Sequence, residues 1–365
     1  MKEKTYVEDV DRNMYDFRND EKDAYRIKNG LTEDIVEKIS EEKHDPEWMH
    51  DFRLNSLKVY NEMKVPDWGP SIEGLNMDNI ATYVRANTKM KGNWSEVPEE
   101  IKDTFEKLGI PQAERTSLAG VGAQYDSELV YHNVRKEVAE QGVIYTDMES
   151  ALTGEYADMV KEHFMKLVTP HDHKFAALHG AVWSGGSFVY VPKGVSVEIP
   201  LQSYFRLNAA GAGQFEHTLI IVDEGASLHF IEGCSAPKYN VANLHAGCVE
   251  LFIGKNAKVK YVEKHYGEGD GTGKRVLNPG TEVYMEENSQ MEMEMVQIKG
   301  VDSTIRTNTA KLAAGARLVV RERLLTHGAQ VAESIYEVEL NGEGSSADVV
   351  SRSVAKGTSK QTFRA

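Results

Sequence analysis

Six occurrences of one turn phrase decide the fold: VPKGVSVEI (191–199), VDEGASLHF (222–230), IGKNAKVKY (253–261), MEENSQMEM (285–293), LAAGARLVV (312–320) and LNGEGSSAD (340–348). Each pivots on a glycine or an asparagine, namely Gly194, Gly225, Asn256, Asn288, Gly315 and Gly344, and the pivots stand 31, 31, 32, 27 and 29 residues apart. These two residue types enter the left-handed region of backbone space most easily, so the same tight corner is turned once per repeat. Period-two strands such as SFVYV (187–191) and LHFI (228–231) flank the corners. A fixed corner with strands on both sides and no helical spacer predicts a solenoid, in which each coil buries its inward side chains against neighbouring coils. A β-sandwich of hairpins also supplies short strands, but it does not require one phrase at near-constant spacing. The reading is a mainly β chain with a parallel β-helix core over 175–365.

Upstream the pattern is helical. Residues 1–135 read as an N-terminal helical region and 136–174 as a helical and loop connection. Asp45 is expected to cap a helix with Pro46 at its first position, burying Trp48, Phe52, Val59 and Met63 on one face until Pro66 stops it. A second helix is expected from Pro98, with Ile101, Phe105 and Leu108 on one face and Gly109 as its end. A third is expected around Glu128 to Gln141.

Apolar residues make up 41% and charged residues 27% of the 365, a globular balance. The formal charge of -15 argues against a nucleic-acid partner, since phosphate contact needs a basic surface that no lysine or arginine cluster supplies. No apolar run approaches the ~20 residues that span a bilayer, and the first residues lack a secretory apolar core, so a cytosolic chain without membrane insertion is expected. Two cysteines, Cys234 and Cys248, are too few for a disulfide framework and fit a reducing compartment.

No GxxxxGK[ST] loop, GxSxG elbow or HExxH helix occurs, so no ATP site is expected in this chain. His171 and His173, with Asp172 between them and His179 beyond, are candidate metal ligands, set against a polar loop with no anchored third ligand. Cys234, in IEGCSAPKY, is expected just after a strand, where a thiol can be reached and partly ionised. The competing reading is a small buried hydrophobe, and Cys248, in an alternating strand, is read as packing. Arg206 and Asn208, in SYFRLN, share one strand face, either inward or salt-bridged on the surface.

Longer phrases carry a resemblance. SLAGVGAQYDSELVYHN (117–133), EQGVIYTDMESAL (140–152), KFAALHGAVWSGGSFVYVPKGVSVEIPLQSYFRLN (174–208), GQFEHTLIIVDEGASLHFIEGCSAP (213–237) and NLHAGCVELFIGKNAKVKY (243–261) are similar to the SufB/SufD family, on its SufB side. The resemblance implies a right-handed parallel β-helix and a scaffold for iron–sulfur cluster assembly, not an enzyme. It implies a transient iron–sulfur cluster and a reduced flavin associated with the assembled complex. The partners it implies are a SufC-type ATPase, SufD or a second SufB, and a SufE- or SufU-type carrier working with a cysteine desulfurase. On this resemblance Cys234 accepts persulfide sulfur and Arg206 and Asn208 lie along the sulfur path. His265 stands where some members carry other path residues. The family fold is implied to continue past Ala365 into a part with a second cysteine, a cluster-site glutamate and most of the SufC-docking surface. This stretch is therefore not expected to complete a cluster by itself. Two alternatives stand beside this reading: a β-helix enzyme acting on carbohydrate through paired carboxylates, and a purely structural interaction subunit.

Overall fold

The computed structural model describes residues 25–66, 71, 73–86, 88–107, 118–236, 241–267 and 275–365. All six predicted pivots adopt the left-handed conformation, with φ of 73° at Gly194, 67° at Gly225, 60° at Asn256, 58° at Asn288, 67° at Gly315 and 72° at Gly344. The corners are hydrogen-bonded to one another. The amide of Gly194 donates to Glu224 O, Gly225 to Lys255 O, Asn256 to Glu287 O, Asn288 to Ala314 O and Gly315 to Glu343 O, at 2.8–2.9 Å. A glycine or an asparagine every 27–32 residues thus builds a ladder of turns and fixes the coil height.

The coils form a parallel β-solenoid of about six turns. One sheet stacks Ser196–Arg206, Ser227–Ser235, Lys258–Tyr266, Gln290–Lys299, Arg317–Thr326 and Ser346–Ala355 in parallel. The facing sheet stacks Ser187–Val191, His217–Val222, Cys248–Ile253, Gly280–Met285, Ser303–Leu312, Val331–Leu340 and Lys360–Arg364. Three short strands, Gly213–Gln214, Asn243–His245 and Arg275–Leu277, make a third face in the earlier coils. It merges at Ser303–Leu312, one strand of which pairs with both Arg275–Leu277 and Gly280–Met285.

Alternation sends every second residue inward. Leu228, Phe230, Val259, Tyr261, Met291, Met293, Leu318 and Val320 meet Ile220, Leu251, Val283 and Ala310 in one continuous core. Phe230 and Tyr261 lie parallel, centroids 6.4 Å apart. Each such side chain contributes about 1.5–3 kcal/mol on burial. Polar residues fill the other half of the interior, and they build the site.

The helical expectations need three corrections. The helix expected from Asp45 is Glu47–Glu62, preceded by a helix at Glu33–Lys43, and has Pro46, not Asp45, at its cap. Asp45 accepts instead from Nε of the fully buried Arg53 at 2.6 Å, because a guanidinium inside the protein requires an anion more than a helix end requires a cap. The buried stripe is correspondingly Met49, Arg53, Ser56 and Leu57, while Trp48 and Phe52 are half-buried against a second cluster. The second helix, Glu99–Lys107, buries Ile101 and Phe105 as expected; Leu108 and Gly109 lie outside the described residues. Where the third helix was expected, Glu128–Val134 is a strand, antiparallel to Gly120–Tyr125, which itself pairs with the Ser196–Arg206 strand. Only Lys136–Ala139 is helical there. An aromatic and β-branched run beside an open sheet edge gains more from pairing than from a short helix. Among the described residues no helix is long and apolar enough to cross a membrane.

Candidate functional site

Cys234 is the eighth residue of the Ser227–Ser235 strand rather than part of a loop after it, and it is 6% exposed. It continues the inward series Leu228, Phe230, Glu232. In a parallel sheet, residues in register point the same way, so the coil above presents His265 directly over Cys234. The third face supplies His245, from the Asn243–His245 strand. Cys234 Sγ lies 3.3 Å from Nδ1 of His245 and in closer contact with Nδ1 of His265.

Each imidazole is held from behind by a carboxylate. His245 Nε2 pairs with Glu216, and His265 Nε2 pairs with Glu263. Glu263 is gripped in turn by Arg306 Nη1 at 2.6 Å. Gly247 makes room for the first pair: a Cβ there would fall 2.5 Å from Glu216 Oε1 and 3.1 Å from His245 Nε2. Cys234, His245 and His265 border a cavity of about 40 Å³, together with Gln214, Asn243 and Arg275. That is room for water-sized species. It is far too small for an isoalloxazine ring.

Burial raises the Cys234 thiol, but the charges of His265 and His245 and their hydrogen bonds outweigh it and bring the thiol down to about 7. Burial opposes charge on His245 and His265, yet carboxylate and thiolate together raise both, His245 well above the usual imidazole range. Glu263 is held far below the usual carboxylate range against its burial, chiefly by Arg306 and then by His265. Glu232, buried beside Glu263 and Glu216, is pushed well up. The group therefore sets a thiol that ionises near neutral pH between two carboxylate-backed imidazoles whose charged forms are favoured, a nucleophile with proton donors in contact.

The other candidates lie elsewhere. Arg206 is fully buried and donates from Nη1 to Ser235 Oγ at 2.8 Å, one residue from Cys234, but its register partner is Ser235, on the alternate face of the strand. The backbone amide of Asn208 donates to Asp126 Oδ1 at 2.6 Å. Neither residue lines the cavity. His173 caps the Lys174–Val182 helix, its Nδ1 accepting from the Ala176 amide at 3.1 Å, and His171 is exposed. Among the described residues, neither of them belongs to a group able to hold a metal ion.

Two such groups exist among the described residues: Cys234, His245 and His265, and His179, His217 and Cys248. In the second, His179 Nε2 meets His217 Nδ1 at 3.1 Å, His179 Nδ1 donates to Ala246 O at 2.9 Å, and His217 Nε2 lies 3.1 Å from Glu250. From sequence alone Cys248 reads as packing, and nothing there marks His217, His245, Glu216 or Glu263 for chemistry.

The model of the SUF system FeS cluster assembly SufBD core domain matches residues 205–365, and that of the SufBD protein N-terminal region matches 34–203. The chain is 43% identical over 357 residues to an iron–sulfur cluster assembly SufBD family protein of Staphylococcus aureus (strain MRSA252), covering 98% of this chain and 76% of the relative. A protein of the same description from Staphylococcus haemolyticus (strain JCSC1435) is 42% identical over the same extent.

Proposed function

The chain belongs to the SufBD family of iron–sulfur cluster assembly proteins, and from that premise we propose that it is a SufB-type scaffold subunit whose Cys234 accepts sulfur from a persulfide carrier. One observation carries the reading: Cys234 Sγ lies against the Nδ1 atoms of two histidines, each backed by a carboxylate, at the edge of a cavity.

The step is a thiol exchange. Cys234 thiolate attacks the outer sulfur of the carrier persulfide, an S–S bond forms on Cys234, and the bond to the carrier sulfur breaks with its electron pair. The carrier leaves as a thiol after taking one proton, which His245 or His265 can supply from the site. Nothing is oxidised or reduced overall. The product persulfide is itself an anion, so the same imidazolium pair that stabilises the thiolate stabilises it.

Arg206 acts in this scheme as a positioning residue, holding the end of the acceptor strand through Ser235. What supports a role for Asn208 is its place beside Arg206 on the anchored segment at Asp126. The sulfur comes from a SufE- or SufU-type carrier charged by a cysteine desulfurase, and assembly proceeds with a SufC-type ATPase and SufD or a second SufB-type chain, in the cytosol. The nascent cluster is cargo.

The carbohydrate alternative has no support in the site, where Glu216 and Glu263 are each committed to a histidine inside the coil. A purely structural subunit differs in one outcome. Cys234→Ser should abolish cluster formation in the assembled complex while leaving the complex intact by size-exclusion chromatography. Cluster formation at the unsubstituted rate would overturn the acceptor role.

A further inference from the structure

We propose that Cys234, His245 and His265 form a binding site for one divalent first-row transition ion, Fe(II) or Zn(II), with an open coordination position facing the cavity. The proposal rests on the scaffold reading only for the source of the ion in the cell; the site itself is argued from the donor set. Thiolate and imidazole together suit iron and zinc and exclude magnesium and calcium.

One ligand atom from each of the three residues lies within 4.8 Å of the others, with Sγ facing Nδ1 of both histidines, and the three come from strands in neighbouring coils and faces, so their separations are set by the solenoid. Metal bonds of about 2.0–2.3 Å put tetrahedral ligand atoms some 3.3–3.8 Å apart; the Cys234–His245 separation of 3.3 Å matches this, and His265 Nδ1, in closer contact with Sγ, has to move outward by about an ångström to admit an ion. The Nε2 atoms face away and are held by Glu216 and Glu263, with Arg306 behind Glu263. That is the outer arrangement that metal-ligating histidines require: it fixes which nitrogen carries hydrogen and turns the Nδ1 lone pair inward. Three protein ligands beside a cavity of about 40 Å³ leave a fourth position for water or sulfide, the pattern of sites that do chemistry, whereas sites that only hold structure are closed. The protons between Sγ and the Nδ1 atoms leave as the ion binds.

The second group, His179, His217 and Cys248, makes an internal control. It has the same donor types within the same span, yet all three residues are buried and none lines the Cys234 cavity. A bound ion and an incoming persulfide would compete for the same sulfur lone pairs, so metal occupancy gates the acceptor.

The test is anaerobic titration of the reduced full chain with Co(II), which reports thiolate ligation through a sulfur-to-cobalt charge-transfer band and four-coordination through its visible bands. The expected result is one equivalent bound per chain, lost in His245→Gln and His265→Gln and retained in Cys248→Ser. A chain that binds no cobalt, or that binds it unchanged in both histidine variants, overturns the proposal, as does loss of binding in Cys248→Ser. Because a substituted coil can misfold, the unsubstituted chain supplies a second measurement. Cobalt should protect Cys234 from iodoacetamide, and full alkylation of the cobalt-saturated chain would refute ligation. Cobalt binding without persulfide labelling of Cys234 would remove the sulfur reading and leave this site standing; the reverse outcome would remove this site alone.

Discussion

The solenoid contains two cysteine–histidine–histidine–glutamate groups built from the same residue types, and their surroundings make them chemically opposite. At Cys234 each histidine has a carboxylate behind it and a cavity in front, so charge is balanced locally and the thiol falls to about 7. At Cys248 burial dominates. His179 and His217 are lowered to about 3, Glu250 is raised to about 7 although it accepts from three backbone amides, and the Cys248 thiol is pushed well above its usual range by burial and by Glu250. The neutral group packs against Phe164 and Trp183, with the Phe164 ring 4.2 Å from that of His217. Composition does not decide reactivity here. Paired counter-charge and an adjacent void decide it.

The largest expected effect is the contrast itself. With a folded pKa near 7, half of Cys234 is thiolate at pH 7, and its alkylation rate should fall about tenfold per pH unit below that. Cys248, raised instead of lowered, should react at least ~100-fold more slowly at pH 7. Iodoacetamide kinetics followed by peptide mass spectrometry read both rates in one sample, and similar rates would break the comparison.

Next in size is the removal of one cation. His265→Gln takes away the largest influence lowering the thiol, so the alkylation midpoint of Cys234 should rise by roughly one pKa unit or more. An unmoved midpoint would show that the histidine is spectator packing. Gly247→Ala is a gentler version, because its methyl group displaces only the Glu216–His245 pair. The midpoint should rise by less than in His265→Gln, with His265 and Glu263 still in place.

These positions also show what the amino-acid order makes legible. The corners are readable because a left-handed backbone demands glycine or asparagine, and all six pivots obey. Cys234 stands nine residues beyond Gly225 and His265 nine beyond Asn256, so the corner register alone stacks one on the other. Glu263 is two residues before His265 and therefore shares its inward face. His245 and Glu216 carry no such signal: they sit at or beside the short third face, which has no corner phrase and whose strands are two or three residues long. The Glu128–Val134 strand was hidden for another reason, since its apolar spacing suits a helix and only its antiparallel partner, Gly120–Tyr125, decides otherwise. Arg206 is on the strand beside Cys234, but the two-residue register shift between the pairs at Leu228 and Phe230 leaves it opposite Ser235, one residue past Cys234 and so on the alternate face.

The smallest effect belongs to the sealed group. Cys248→Ala should cost roughly 1–2 kcal/mol in urea unfolding, the loss of a packed sulfur, with sulfur acceptance unchanged. A loss of acceptance without a loss of stability would move the chemistry to Cys248.

The central claim is tested most directly by incubating the reduced chain with a desulfurase-charged persulfide carrier and mapping the transferred sulfur by mass spectrometry of the intact and digested protein. The account predicts one added sulfur on the peptide containing Cys234, absent in Cys234→Ser and undiminished in Cys248→Ser; sulfur on Cys248, or on neither cysteine, would contradict it.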